Sequence, residues 1–277
     1  MNFTIKTFDD FRHNMFPAMH VGRKNAYDEI QRLTVNDIDT FLLNREYDFV
    51  RILGLQQDTF EYFVEKYGAR FKGISFCRNR AVSDWSALAK LSSVEYLDLH
   101  GNYEMTSLWD MSSNRALKAL AISNCTKLHS ICGVEKAPSL DCLILGEGVW
   151  PSAVIDSLAP LAGTKIQYLE FTGKKIEDND ISFIWDMPEL KQFNCPTNLF
   201  TTEQIAWAVS NFPDLEGYAL RAKISWGETE SGHDVPTTLI VGKRKPCLPT
   251  KGNEEKIQRY VDRFDSLVAS YKGVRRP

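Results

Sequence analysis

Apolar residues recur along the chain in one order: an apolar position, two variable ones, a second apolar, one variable, and a third apolar. The clearest copy is Val94, Leu97 and Leu99. Taking each copy by its first apolar residue gives Val50, Phe71, Val94, Leu117, Leu140, Ile166, Leu190 and Leu215, at gaps of 21, 23, 23, 23, 26, 24 and 25 residues. The second and third positions hold Ile74 and Phe76, Leu120 and Ile122, Leu143 and Leu145, Leu169 and Phe171, Phe193 and Cys195, and Tyr218 and Leu220. Leu53 and Leu55 complete a weaker first copy. Side chains alternate along a strand, so each copy predicts a short strand whose second and third apolar residues enter the core while the residues between them face out. Self-similarity at this period predicts stacked units, because one unit cannot bury its apolar side alone.

A second signal is independent of the first. Eight residues after the first apolar residue stands Asn79, Asn102, Cys125 or Asn198 in four copies, where the side chain can bond backbone groups as the chain leaves the strand. Asp58, Gly148, Lys174 and Lys223 depart from this, which predicts less regular turns there. The copies resemble the leucine-rich-repeat family, and within it the bacterial internalin-like subclass with short convex segments. The stretch 82–91 (Val82, Ser83, Asp84, Trp85, Ser86, Ala87, Leu88, Ala89, Lys90, Leu91) looks like that family's connecting phrase, and residues 155–161 repeat it before Ile166. The resemblance covers about residues 50 to 222. It implies an α/β leucine-rich-repeat solenoid, a horseshoe with a parallel concave β-sheet of about eight strands and terminal caps. It also implies a non-catalytic protein-binding module that recognises a partner protein on the concave face.

The flanks read as those caps, residues 1–49 and 223–277, around repeats at 50–222. In the first, Ile38, Phe41 and Leu42 share a helical face with Asn36 as the N-cap candidate, and Asp58 can cap a segment at 59–66 ended by Gly68. In the second, 237–241 reads as a strand, and Asn253 opens an amphipathic helix with Ile257, Tyr260, Val261, Phe264, Leu267, Val268 and Tyr271 on one face. That face predicts packing over the end of the array or its convex side.

Strands about 4.8 Å apart place the outward residues in rows spanning roughly 34 Å over seven intervals, enough to meet a protein surface. One row reads Ile52, Gly73, Tyr96, Ala119, Cys142, Tyr168, Gln192 and Gly217; the next reads Gly54, Ser75, Asp98, Ala121, Ile144, Glu170, Asn194 and Ala219; a third includes Cys77, His100 and Ser123. Small residues at the centre lie between Tyr96 with Asp98 and Tyr168 with Glu170, a trough with aromatic and acidic walls that suits an apolar or basic side chain. The candidate contacts are Tyr96, Asp98, His100, Cys142, Ile144, Tyr168, Glu170 and Gln192. Asp98 and Glu170, three repeats or about 14 Å apart, are too distant for a glycosidase pair.

Composition narrows the function classes. With 33 Lys and Arg against 36 Asp and Glu, and a net charge of -3, there is no basic excess to hold nucleic acid. No run reaches the roughly 20 apolar residues a membrane helix needs, and the start lacks a secretory pattern. Six cysteines without paired short spacings read as reduced thiols, so the expected compartment is the cytoplasm. Cys125, His129 and Cys132 are the one candidate metal cluster, and without a second pair at zinc spacing no metal is expected. His100 beside Asp98 lacks a nucleophile motif, and no phosphate or dinucleotide fingerprint appears, so no cofactor and no enzyme activity are expected. Lys243, Arg244 and Lys245 form a basic loop between prolines, with solvation as its simplest role. The expected molecule is a monomer rather than a homodimer that binds another protein, with inhibitor or immunity-type antagonist as the narrower role. The alternatives are a structural or homo-oligomeric scaffold, or a small enzyme built on the flanks.

Overall fold

The computed structural model describes residues 19–21 (backbone only), 31–43, 46–146, 153–227 and 235–277. Its strands are β1 (Met19–Val21), β2 (Phe49–Ile52), β3 (Gly73–Cys77), β4 (Tyr96–His100), β5 (Ala119–Ser123), β6 (Cys142–Gly146), β7 (Val154–Ile155), β8 (Tyr168–Thr172), β9 (Lys175–Ile176) and β10 (Gln192–Asn194). All but β7 and β9, which pair with each other, form one eight-stranded sheet in chain order, and the pairings in it are parallel. Short 3₁₀ turns at Ser86–Lys90, Val134–Lys136, Ala159–Leu161 and Ser182–Asp186 return the chain, two of them inside the two connecting phrases. The helices are α1 (Val35–Leu42), α2 (Gln57–Tyr67), α3 (Thr202–Asn211) and α4 (Glu254–Ser270). An antiparallel sheet of β11 (Lys223–Trp226), β12 (Thr237–Ile240) and β13 (Cys247–Pro249) precedes α4.

The central repeats fold in the expected register, with Tyr96 beside Ala119, then Cys142, Tyr168 and Gln192. The two ends differ from expectation. Val50 pairs with Ile74 and Ile52 with Phe76, so the first copy is shifted by three residues, and Phe49 and Arg51, not Ile52 and Gly54, continue the outer rows. An odd shift exchanges the two faces: Val50 and Ile52 take the inward positions expected of Leu53 and Leu55, and the chain offers both apolar pairs one after the other. β1 extends the sheet beyond β2, inside the segment expected to be a cap. At the other end the Leu215 copy forms a single bridge, Gln192 to Glu216. Two residues on, the Tyr218 N–H donates to the Asn194 side chain at 3.2 Å, which ends the ladder.

Inward residues Leu97, Leu99, Leu120, Ile122, Leu143, Leu145, Leu169, Phe171 and Phe193 are fully buried in one continuous core. The turn asparagines close it. Asn102 Nδ2 donates to the Phe76 carbonyl (2.9 Å) while its Oδ1 accepts from the Asn79 N–H (2.9 Å), and Asn79 links Ile52 and Leu55 in the same way. Cys125 takes that place in the next repeat, its thiol near the Leu99 carbonyl. Asn198 is exposed instead, because β10 stops at Asn194 and the chain turns at Pro196, whose carbonyl accepts from the Leu199 N–H.

In the return from β2 to β3, apolar residues at helical spacing make α2, and Phe60 and Phe63 meet Phe76 edge-on at 5.4 and 5.8 Å. Its N-cap is Gln56 rather than Asp58, and that of α1 is Thr34 rather than Asn36. The Thr34 hydroxyl accepts from the Asp37 N–H while the Asp37 carboxylate accepts from the Thr34 N–H, a reciprocal cap that an Asn two residues further in does not offer. Asp39 ties α1 to α2 by accepting from Tyr62 and Tyr67 (2.6 Å each) and Lys66, bonds that lower its carboxyl to about 2. At the far end α4 lies against α3 with Ile257 and Phe264 buried. Trp207 Nε1 donates to the Val274 carbonyl (2.6 Å) and Ser210 to that of Val268 (2.6 Å).

Candidate partner-binding face

The strands that send Leu97 and its equivalents into the core send the candidate site residues to the opposite side. There Phe49, Tyr96, Ala119, Ala121, Cys142, Ile144 and Tyr168 form a second apolar cluster, separate from the core. Gly73 is what lets its first two members meet. A Cβ at that position would stand 2.5 Å from the Phe49 ring, and without it Phe49 stacks on Tyr96 at 6.2 Å. A solvated trough was expected here, but over β2 to β6 the outer face is closed. Tyr96 is 5% exposed, Cys142 0% and Ile144 4%, and Ala119 and Ala121 at its centre are fully buried.

Asp98 is closed off as well, at 4% exposure. Ser75 Oγ donates to its Oδ2 (2.7 Å), Arg51 Nε donates to Ser75 Oγ (3.2 Å), and an Arg51 terminal nitrogen stands 4.0 Å from the same carboxylate oxygen. Its charge is balanced within the chain. Arg51 escaped the sequence reading because the first copy was placed three residues out of register.

His100 is half-buried, with Nδ1 2.9 Å from Ser123 Oγ, its neighbour in the third outward row. On the other side of the ring the Asn124 amide nitrogen lies 3.4 Å from Nε2. An amide N–H donated to Nε2 leaves the imidazole proton on Nδ1, directed at Ser123. That is the reverse of a base withdrawing the serine proton.

The face changes character at β8. Tyr168 OH donates to Glu170 Oε2 (2.7 Å) and accepts from Asn194 Nδ2 (3.4 Å), while Asn194 Oδ1 holds the Tyr218 N–H. Burial, then the bond to Glu170, pushes the Tyr168 hydroxyl well above the usual phenol range, so it remains a donor. Glu170, Gln192 and Asn194 are half-buried, and Tyr218 is 53% exposed. Tyr218 was expected in the core as the second apolar residue of its copy. Loss of that strand turns it to solvent, and the missing turn asparagine at Lys223 does not announce this, since Lys174 departs in the same way and β8 forms.

Of the eight candidate contacts, therefore, Glu170 and Gln192 sit on the partly exposed part of the face, with Tyr168 buried beside them. Tyr96, Asp98, Cys142 and Ile144 are enclosed, and His100 lies between. Among the described residues no group of three or more His, Cys, Asp or Glu is arranged to hold a metal ion, and His129 pairs with Asp156 at 2.9 Å. No described helix is long and apolar enough to cross a membrane.

The chain matches no protein-family model and no curated protein sequence. Among solved structures it is similar to an internalin (inlF) from Listeria monocytogenes strain 4b F2365, with a TM-score of 0.51 and 16% identity. The likeness covers 68% of this chain and 51% of the internalin, so the chain spans about half of that protein. At this identity the likeness shows the fold alone: a leucine-rich-repeat-like α/β arrangement on a parallel sheet.

Proposed function

We propose that this protein is a non-catalytic binding module that recognises another protein on the outer face of its parallel sheet, at the β8–β10 end. The observation that carries the reading is the contrast along that face. Glu170 and Gln192, half-buried, and the exposed Tyr218 offer polar groups and aromatic surface to solvent, beside a stretch whose side chains are enclosed. Tyrosines supply contact area at low entropic cost, and a sheet backed by a continuous core presents them without rearrangement. The likeness in fold to an internalin supports a protein partner rather than a small substrate, as an inference from architecture.

In the same reading, residues 50–222 are the binding array of a curved solenoid, 1–49 and 223–277 close its ends, and the protein works as a cytoplasmic bacterial monomer. The narrower role is an antagonist that occupies a partner's working surface. A photo-crosslinking residue at Gln192 or Tyr218 should trap a protein in the native cell that the same residue at Asp265, on the exposed side of α4, does not. Equal trapping at all three positions, or trapping at Asp265 alone, would place the interface elsewhere.

A further inference from the structure

Two carboxylates face outward on the sheet, and they differ in what balances them. Asp98 has Arg51 and Ser75. Glu170 is flanked across the sheet by Ile144 and Asn194, and no Lys, Arg or His among the described residues pairs with it. Among the other partly shielded carboxylates, Asp39 has Lys66, Glu95 has Lys118 and Glu203 has Arg263, whereas Asp141, which precedes β6 at the rim and does not face outward from the sheet, has no ion pair among the described residues. One oxygen of Glu170 is held by Tyr168, which fixes the carboxylate against the sheet, and the Gln192 side chain lies on the neighbouring strand. The exposed Tyr218 follows where the ladder ends at Asn194.

We propose that Glu170 is the anchor for a basic side chain, an arginine of the partner protein, with Gln192 and Tyr218 as the flanking contacts. The inference rests on the binding reading above and deepens it. A guanidinium can give a carboxylate a charge-assisted hydrogen bond while its flat face lies on a tyrosine ring, and it has donors left for an amide oxygen. Asp98 cannot serve in this way, since a second cation there would have to displace Arg51 from a site shielded from solvent.

The test uses N-acetyl-arginine amide as the probe and the isosteric, uncharged N-acetyl-citrulline amide as the control, read by backbone amide NMR of the full chain. Arginine amide should shift Glu170, Gln192, Asn194 and Tyr218 saturably at about millimolar concentration, the range open to a single anchor. Citrulline amide should not. Glu170→Gln keeps an acceptor for the Tyr168 hydroxyl, so it preserves the wall while removing the charge, and it should weaken the arginine response by about tenfold or more. Tyr218→Ala should weaken it less. Equal responses to both probes, shifts spread over the surface, or an unchanged response in Glu170→Gln would overturn the proposal. If crosslinking at Gln192 succeeds while the arginine response fails, the face is right and the basic anchor is wrong.

Discussion

Along β4, Leu97 and Leu99 turn into a core where every neighbouring strand offers the same kind of residue, whereas Tyr96 and Asp98 on the other side meet different partners in each direction. Leu97 lies beside Ile74 and Leu120; Tyr96 lies beside Gly73 and Ala119, and Asp98 beside Ser75 and Ala121. The inner face is thus a sum of equivalent contacts, the thermodynamic habit of stacked repeats, and its strength depends on keeping the series unbroken. The outer face is a set of individual bargains between named side chains. Damage to the first should propagate through the stack, and damage to the second should stay local.

The largest effect is expected where the series is thickest. Phe76 is fully buried between Phe60, Phe63 and Trp85, and Phe76→Ala should cost about 3–5 kcal/mol, read as a lower urea midpoint with all probes moving together. A loss under about 1 kcal/mol would mean that the cavity collapses freely and the core is not closely packed. Asn102→Ala ranks next. It strands the Phe76 carbonyl and the Asn79 N–H in a buried turn, at a cost of about 2–3 kcal/mol. An equal loss in Asn198→Ala would contradict the exposure of that side chain; the expected change there is within about 0.5 kcal/mol.

These two faces were not equally legible in the sequence. The inner one was, because its rule is periodic: Leu97, Leu120, Leu143 and Leu169 obey a spacing that also sets the register of the outer rows. Legibility failed where the pattern permits two answers, as in Phe49 to Ile52, where a shift of three residues hid Arg51. It failed again at Leu215, whose apolar spacing is intact although the ladder has ended. Which outer residues are open to a partner was not written in spacing at all. Tyr96 and Tyr168 hold equivalent positions, and what separates their neighbourhoods is three-dimensional: Asp98 is satisfied by a residue 47 positions earlier in the chain, whereas Glu170 finds no such cation among the described residues.

Ser75→Ala tests that outer face. The hydroxyl accepts from Arg51 and donates to the buried Asp98 carboxylate, and its removal should cost about 1.5–2 kcal/mol, without broadening the unfolding transition. A loss approaching that of Phe76→Ala would show that the outer network is part of the cooperative core, and the contrast between the faces would fall.

The smallest effect belongs to the rim between the faces, where Asp48, Lys72, Glu95 and Lys118 precede successive strands with alternating charge. Lys72 reaches Asp48 at 3.1 Å and Lys118 reaches Glu95 at 2.7 Å, with the Lys118 side chain 45% exposed. A pair this solvated is worth about 0.5 kcal/mol or less and should fade as salt is added. The bond to Glu95 raises the Lys118 amine above its ordinary 10.5, so the pair's contribution is complete at neutral pH and is lost only as pH climbs through the raised value. Lys118→Ala should therefore lower stability slightly at pH 7 in low salt, and the difference from the wild type should disappear in about 1 M salt, where screening extends over only about 3 Å. A difference that survives high salt would trace instead to the aliphatic stem of Lys118 packed along the rim, and would make the rim a third layer of the stack rather than a charged border.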